Sequence, residues 1–161
     1  MISPDAERCV SLTVKIMELR RYTAKDSAPE QLQEARLISG SGIEGDYHQN
    51  VSLLTKAAAL WMESLTIPGL CFEKLKVNIL LDGSFSHGSQ LSFADAILRV
   101  CAKQKYCFPA CAYRQDVPAC PLAGGMFFAD LLRGGVVHVE DLGAVATAPL
   151  EMSANLSRSL D

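Results

Sequence analysis

The stretch VSLTVKI, residues 10–16, decides the fold class, because apolar and polar side chains alternate along its whole length. Its apolar residues fall on one face of an extended chain: Val10, Leu12, Val14 and Ile16. A period of two residues is typical of a strand with one face buried and the other in solvent. The sequence therefore indicates a β-rich domain from its first regular segment onward.

Short segments of the same character follow, separated by glycine, proline and polar turn residues. We predict strands at residues 35–39, 75–81, 91–100 and 136–139, with the last of these as the final strand. Residues 23–33 are polar and are predicted as a loop. Residues 126–132 fit either a strand or a helical turn.

One helix is predicted at residues 56–65 (KAAALWMESL), where strong helix formers follow Thr55 as a candidate N-cap. Many short strands with a single helix and no internal repeat predict one mostly β, barrel-like domain over residues 1–150. A polar, serine-rich tail at residues 151–161 completes the chain.

Composition excludes several classes of protein. Of the 161 residues, 49% are apolar and 20% are charged, which is a globular composition and not a disordered one. The net charge of −3 argues against a protein that coats nucleic acid or an anionic membrane. The first ten residues, MISPDAERCV, hold no apolar signal segment, so we expect a cytoplasmic protein with reduced thiols.

The chain has six cysteines, and three of them cluster in KQKYCFPACAYRQDVPAC, residues 103–120. Two prolines in this stretch argue against a regular helix or a central strand, so Cys107, Cys111 and Cys120 are expected on a loop. Cationic neighbours stabilise the thiolate, which is the nucleophilic and metal-binding form of cysteine. Three such neighbours are present: Lys103, Lys105 and Arg114. A reactive thiol and simple packing under the loop are both compatible with this pattern.

A zinc site is a second interpretation of the same cluster. Cys107 and Cys111 have an acceptable ligand spacing, and Cys120 could add a third thiolate, but a fourth ligand would have to come from a distant part of the chain. The other cysteines are Cys9, Cys71 and Cys101. They sit in or beside apolar runs and are interpreted as small core residues.

The segment GIEGDYH, residues 42–48, is the other stretch whose side chains are suited to catalysis or binding. Its glycines allow a tight turn, Asp46 can accept bonds from the amides of that turn, and His48 titrates near neutral pH. A purely structural turn would have the same composition. Phosphate-loop, dinucleotide-binding, serine-hydrolase and zinc-protease motifs are all absent from the sequence.

The order of these segments resembles the MOSC family, named for the C-terminal domain of molybdenum cofactor sulfurase. The resemblance spans about Val10 to Val145. It rests on several short motifs in sequence: GIEGDYH, VSLL with a short helix, GLCFEKLKVNI, LSFADAILRV, KYCFPAC and ACPLAGGMFFADLLRGGVV. Membership would imply a short, stand-alone MOSC-like β-barrel with a thiol at its functional centre.

The resemblance also assigns roles to residues. Cys107 falls on the defining cysteine of a segment like GKxCHxxC, Cys111 on the second, and Cys120 on the cysteine of the following segment. The family's glycine–aspartate–histidine turn is matched by Gly42, Gly45, Asp46 and His48. Asn78 matches the asparagine of its ENI motif. Cys107 would then carry a persulfide or ligate molybdenum.

Cofactor and partners follow from the same resemblance. The molybdenum cofactor, a pterin, is the expected cofactor, with Lys103, Lys105 and Arg114 available for its phosphate. The expected partner is a sulfur donor such as a cysteine desulfurase, or another molybdenum-cofactor protein, because the sequence contains no sulfurase domain of its own.

Four positions depart from the family pattern. Phe108 stands where a histidine is common, Val77 replaces the glutamate of ENI, and Ala94 and Glu140 replace turn glycines. These departures leave a second hypothesis open, a binding module that keeps the barrel without the chemistry.

Overall fold

The structure, a computed structural model, describes residues 12–66, 75–102 and 122–147. Its strands in chain order are β1 (Leu12–Arg21), β2 (Glu30–Leu32), β3 (Glu34–Ile38), β4 (Gly42–Ile43), β5 (Val51–Thr55), β6 (Ile79–Asp82), β7 (Gln90–Phe93), β8 (Ala96–Ala102), β9 (Met126–Arg133), β10 (Gly135–His138) and β11 (Leu142–Ala146). Helix α1 is Lys56–Ser64, and a single helical turn, α2, is Leu122–Gly125.

Seven of these strands close into a barrel in the order β11-β7-β8-β9-β5-β6-β1, and β1 pairs back onto β11. Neighbouring strands are antiparallel except β5 and β6, which are parallel and are connected through α1. Strand β2 extends β1 beyond the barrel, and a small sheet of order β10-β3-β4 lies beside it. The prediction of a single, mostly β, barrel domain is confirmed.

The alternation that predicted the first strand is present in β1. Val14 and Ile16 are buried inside the barrel. The register of the β1–β6 pairing shifts between Ile16 and Glu18, which is a β-bulge. Strict alternation would place residue 18 inside the barrel after Ile16, but the next inward side chain is Leu19. The extra residue changes the phase of the alternation and lets one long strand follow the curved barrel wall.

The inner face of the barrel is filled by fully buried aliphatic and aromatic side chains: Val14, Ile16, Leu53, Leu81, Leu91, Phe93 and Leu98. Helix α1 packs on the outside of the barrel instead. It covers a second apolar cluster built from Leu54, Ala58, Val77, Leu122 and Met126. Thr55 caps this helix as predicted, since its hydroxyl accepts a hydrogen bond from Ala58 N at 3.2 Å.

The predicted element boundaries are wrong in four places. The strand predicted at 75–81 begins only at Ile79, and residues 75–78 before it are not in a strand. Residues 91–100 form a hairpin, β7 and β8, and not one strand. The predicted loop at 23–33 contains the short strand β2, and β10 is not the last strand, because β11 follows it and closes the barrel against β1. Residues 126–132, which fitted two structures, belong to strand β9.

The hairpin was missed because its turn contains no glycine. Ala94 has a φ of 47°, and Glu140, at the other position where the family has a turn glycine, has a φ of 79°. Both values lie in the left-handed region, which costs a residue with a Cβ about 1 kcal/mol or more. The backbone at both positions therefore has the conformation that favours glycine, although the side chains have changed.

Ala94→Gly is accordingly expected to raise the free energy of unfolding by about 1 kcal/mol, because it relieves this strain at an exposed turn. Urea denaturation measures the change. Ala144→Gly in β11 is the matched control and should lower the stability, since that residue is exposed in a regular strand. Equal destabilisation by both substitutions would contradict the strained turn.

Candidate functional site

The turn that carries Asp46 and His48 links β4 to β5 and depends on glycine. Gly42 and Gly45 have φ values of +84° and +85°. A Cβ on Gly42 would lie 3.1 Å from the carbonyl oxygen of Gln49, so the turn closes tightly on itself. A Cβ on Gly45 would lie 3.0 Å from the Arg21 side chain. The GIEGDYH segment is thus a rigid turn, which presents its aspartate and histidine in fixed positions.

The carboxylate of Asp46 is buried beneath this turn, with only 1% of its side chain exposed. Its Oδ2 accepts hydrogen bonds from Tyr22 N and from Asn78 Nδ2, both at 2.9 Å. Its Oδ1 accepts from His48 N at 2.6 Å and lies 3.0 Å from His48 Nδ1. Every acceptor position that faces the protein is used, which is what a buried carboxylate requires.

This contact sets the state of the imidazole. When His48 is neutral, Nδ1–H donates to Asp46, and the lone pair is on Nε2. The ring is held edge-on by Tyr22 at 5.9 Å and by Tyr47 at 5.0 Å between ring centroids. About a third of the side chain stays exposed. Asp46 and His48 together therefore form an oriented proton acceptor of the kind that enzymes use.

Asn78 connects this pair to the barrel wall. Its Oδ1 accepts from Ser52 N at 3.0 Å, and its Nδ2 donates to Arg20 O at 3.1 Å as well as to Asp46. The Ser52 hydroxyl donates to Lys76 O at 2.6 Å and accepts from Asn78 N at 3.0 Å. The amide of Asn78 is fully occupied by these bonds, so it positions its neighbours.

A pocket of about 450 Å³ opens beside His48 on the outer face of the barrel, and we call it the His48 pocket. Its lining consists of Tyr47, His48, Gln49, Asn50, Ser52, Lys76, Asn78 and Phe128. The ammonium of Lys76 lies 4.9 Å from the centroid of the Tyr22 ring and makes no ion pair within the described ranges. The volume is typical of a small-molecule site, and the lining offers one cation, several amides and an aromatic ring.

Strand β8, after which the described residues end, lies next to this pocket. Ser52 lies opposite Phe128 in the β5–β9 pair, and Phe128 lies opposite Cys101 in the β8–β9 pair. The next residue of β8 is its last, Ala102, and the chain returns at α2 directly before β9. Residues 103–121, which connect these two ends, lie outside the described residues.

Six predicted site residues fall in that undescribed segment: Lys103, Lys105, Cys107, Cys111, Arg114 and Cys120. Their roles stay predictions. Among the residues that the structure describes, no group of three or more histidine, cysteine, aspartate or glutamate side chains is placed to hold a metal ion. Asp46, His48 and Asn78, by contrast, are brought together in one hydrogen-bonded network.

Cys101 is not the core residue that its apolar surroundings suggested. It is half-buried on the outer face, where its Sγ lies 3.2 Å from Asp130 Oδ2, and Arg99 Nη2 lies 3.1 Å from the same oxygen. Burial and the bond to Asp130 raise the pKa of the Cys101 thiol. It is therefore protonated at neutral pH and a poor nucleophile. Cys9 and Cys71 lie outside the described residues.

Sequence reasoning missed Ser52 and Lys76, which build the wall of the His48 pocket. One signal was present, because Ser52 is the single polar residue in the run VSLL and is buried in the structure. Lys76 carries no such signal, since a lysine in LKVNILL is equally typical of an exposed strand position.

In the described ranges, no helix is long and apolar enough to cross a bilayer. No family model matches the chain, and no curated protein does so either.

Two solved structures resemble this fold. The YuaD protein from Bacillus subtilis aligns with a TM-score of 0.58 and 19% identity over 85% of this chain and 97% of its own. YiiM from Escherichia coli aligns with a TM-score of 0.51 and 15% identity over 87% of this chain and 71% of its own. Both are MOSC-family proteins, and at this level of identity the likeness concerns the fold: the chain forms a MOSC-like barrel.

Proposed function

We propose that this chain is a sulfur-handling or molybdenum-cofactor-binding domain that works through a thiolate at Cys107. The observation that carries the proposal is the oriented Asp46–His48 pair at the edge of a polar pocket, on a barrel of MOSC-like fold. A purely structural turn would not need an imidazole with a fixed tautomer beside a pocket that also contains a lysine.

His48 would serve as the proton acceptor for the thiol. Its Nδ1 is engaged by the buried carboxylate of Asp46, so Nε2 is the nitrogen available to take a proton. The positive charge that develops on the ring is then balanced by Asp46 at 3.0 Å. Lys103, Lys105 and Arg114 would add to the preference for the thiolate, as cations near a cysteine do.

The sulfur-transfer step needs only a persulfide donor. The Cys107 thiolate attacks the outer sulfur of the donor persulfide R–S–SH, a new S–S bond forms, and the donor's own S–S bond breaks. The donor leaves as a thiolate, and Cys107 becomes a persulfide that keeps the donor's proton on its outer sulfur. The thiolate of Cys111 or Cys120 would then attack the inner sulfur of this persulfide, so that a disulfide to Cys107 forms, the persulfide's S–S bond breaks and the outer sulfur leaves as hydrosulfide. A thiol reductant would return the disulfide to two thiols before the next cycle.

The described lining also fits a pterin cofactor with a phosphate. Lys76 supplies a cation without an ion-pair partner in the described part of the chain, and Phe128 supplies an aromatic face in the same pocket. When bound, such a cofactor would supply oxygen-atom or sulfur chemistry at molybdenum, with Cys107 as the soft ligand. The protein's own contribution is to bind the phosphate, orient the rings and hold the proton at His48.

Thiol alkylation tests the proposal. At pH 7, iodoacetamide should modify Cys107 about tenfold faster than Cys101, because a thiol of lowered pKa is largely thiolate while Cys101 is kept protonated. Peptide mass spectrometry resolves the two sites. Cys107→Ser should abolish the fast reaction, and the matched control Cys101→Ser should leave it unchanged.

The outcomes separate the hypotheses. Incubation with a cysteine desulfurase and cysteine should add one sulfur atom to Cys107, and elemental analysis of the purified protein distinguishes molybdenum from zinc. If Cys107 reacts as slowly as Cys101 and acquires no sulfur, the proposal of a reactive thiolate at Cys107 is wrong. The non-catalytic binding module, or a zinc site on Cys107, Cys111 and Cys120, would then remain.

A further inference from the structure

We propose that Tyr22 is the positioning residue of the His48 pocket. Its buried aromatic ring holds two groups of that pocket in fixed places: the imidazole of His48, which is the proton acceptor of the proposed reaction, and the ammonium of Lys76. The inference deepens the proposed function and rests on it for the use that is made of His48. The contacts of Tyr22 themselves are independent of the chemistry at Cys107.

Tyr22 directly follows strand β1, and it is anchored at both ends. Only 3% of the residue is exposed. Its backbone N donates to Asp46 Oδ2 at 2.9 Å, and its backbone O accepts from Tyr47 N at 2.7 Å. The phenol oxygen accepts from Val77 N at 3.1 Å, and its hydroxyl lies 3.4 Å from Val77 O. A buried tyrosine whose hydroxyl is engaged in this way cannot turn its ring without losing these bonds, so the ring is a rigid surface.

Two groups of the pocket contact this one ring. The imidazole of His48 lies perpendicular to it, with 5.9 Å between the ring centroids and an interplanar angle of 88°. The ammonium nitrogen of Lys76 lies 4.9 Å from the centroid, which is within the range of a cation–π interaction. Both residues also line the His48 pocket. The position of the Tyr22 ring therefore sets how far apart the imidazole and the ammonium are.

Lys76 depends on this contact because other partners are occupied. Its flexible stem would otherwise leave the ammonium free to move, and it makes no ion pair with a residue that the structure describes. The buried carboxylate of Asp46 already accepts bonds from Tyr22 N, Asn78 Nδ2 and His48. The Tyr22 ring is therefore the contact that orders the ammonium at the pocket.

His48 has a second aromatic neighbour, and the comparison of the two makes the proposal specific. The ring of Tyr47 lies 5.0 Å from the imidazole, but 53% of this residue is exposed. Tyr22 is buried and anchored, so it is the neighbour that keeps Nδ1 of His48 directed at Asp46. Tyr47→Leu is accordingly the matched control for Tyr22→Leu, because both remove an aromatic ring from the same imidazole.

The tautomer of His48 tests the first contact, and long-range ¹H–¹⁵N correlation spectra measure it above neutral pH. In the unmodified protein the Nδ1–H form should predominate, because Nδ1 faces Asp46. Tyr22→Leu should reduce the fraction of this form by about half, since a ring that turns away from the carboxylate loses the bond that selects the tautomer. Tyr22→Phe, which keeps the ring, and Tyr47→Leu should both retain it.

Acylation of Lys76 by acetic anhydride tests the second contact. Peptide mass spectrometry compares its rate with that of Lys25, an exposed lysine in the β1–β2 loop. Relative to Lys25, Lys76 should react about two- to fivefold faster in Tyr22→Leu than in the unmodified protein, because a cation–π contact at a solvated site restrains the ammonium by a factor of that size. Tyr22→Phe should leave the ratio unchanged.

The same His48 tautomer and the same Lys76 rate in Tyr22→Leu as in the unmodified protein would overturn the proposal. Tyr22→Phe decides the matter if Tyr22→Leu does not fold. A folded Tyr22→Phe that keeps both signals supports the ring as the positioning element, and one that loses both would overturn it. The alkylation rate of Cys107 is measured in the same samples. Slow alkylation of Cys107 in the unmodified protein, with the tautomer lost in Tyr22→Leu, removes the thiolate proposal and leaves the role of Tyr22 standing.

Discussion

Asp46→Ala is expected to lower the free energy of unfolding by about 4 kcal/mol, the largest effect of any substitution near the site. The carboxylate is 1% exposed and accepts bonds from Tyr22 N, Asn78 Nδ2 and both the backbone and the ring of His48. Alanine leaves these donors buried without an acceptor, and each such donor costs about 1–3 kcal/mol before the structure relaxes.

Urea denaturation followed by tryptophan fluorescence and circular dichroism measures this loss. Asp26→Ala is the control, because that aspartate is exposed and should change the stability by less than about 0.5 kcal/mol. A decrease below about 1 kcal/mol for Asp46→Ala would mean that the network does not hold the turn. Asp46→Asn retains one acceptor oxygen and should fall between the two.

Sequence reasoning identified the turn that carries Asp46 and His48, but it did not identify the contacts that hold this turn in place. GIEGDYH identified Asp46 and His48 because the glycines, the aspartate and the histidine are adjacent in the chain. The partner backbone of Tyr22 is 24 positions away, and Asn78 is 32 positions away. Only the closed barrel brings them together, and a single sequence contains no record of such long-range pairing. Asn78 entered the prediction through family resemblance alone.

The prediction of the fold had the same limit: elements with a local signal were predicted, and an element that depends on distant contacts was not. Alternation at the start of β1 and the helix formers of α1 are local signals, and both elements formed as predicted. Strand β11 (LGAVA) was missed because its residues are small and its alternation is weak. Gly143 lies directly against the ring of Phe93, and a Cβ at this position would clash with that ring. Glycine is therefore required here because of a contact with a residue that is distant in the sequence.

Sequence reasoning also failed to predict on which face of a strand a side chain lies. Cys101 follows the inward-facing Val100 in β8, so the period of two places its thiol on the outer face. The apolar run LSFADAILRVC hides this alternation, because residues on both faces are hydrophobic. The side chains on the outer face of β8 and β9 can therefore be identified only from the strand register.

Asn78→Leu, a substitution of similar volume, is expected to lower the free energy of unfolding by about 3 kcal/mol. The amide nitrogen bonds Arg20 O and Asp46, and the amide oxygen bonds Ser52 N. Leucine removes the bonds to Arg20 O and from Ser52 N, and one of the two bonds that Asp46 Oδ2 accepts, at a buried position. Asn50→Leu is the matched control, since Asn50 is exposed and should leave the stability nearly unchanged.

The double variant decides whether Asn78 acts through Asp46. If the two side chains form one network, Asp46→Ala combined with Asn78→Leu should cost about 1–2 kcal/mol less than the sum of the single losses, because the first substitution already breaks the shared bond at 2.9 Å. Additive losses would mean that Asn78 supports the barrel wall independently of the turn. Coupling would make Asn78 the residue that fixes Asp46, and through it the His48 ring, at the edge of the pocket.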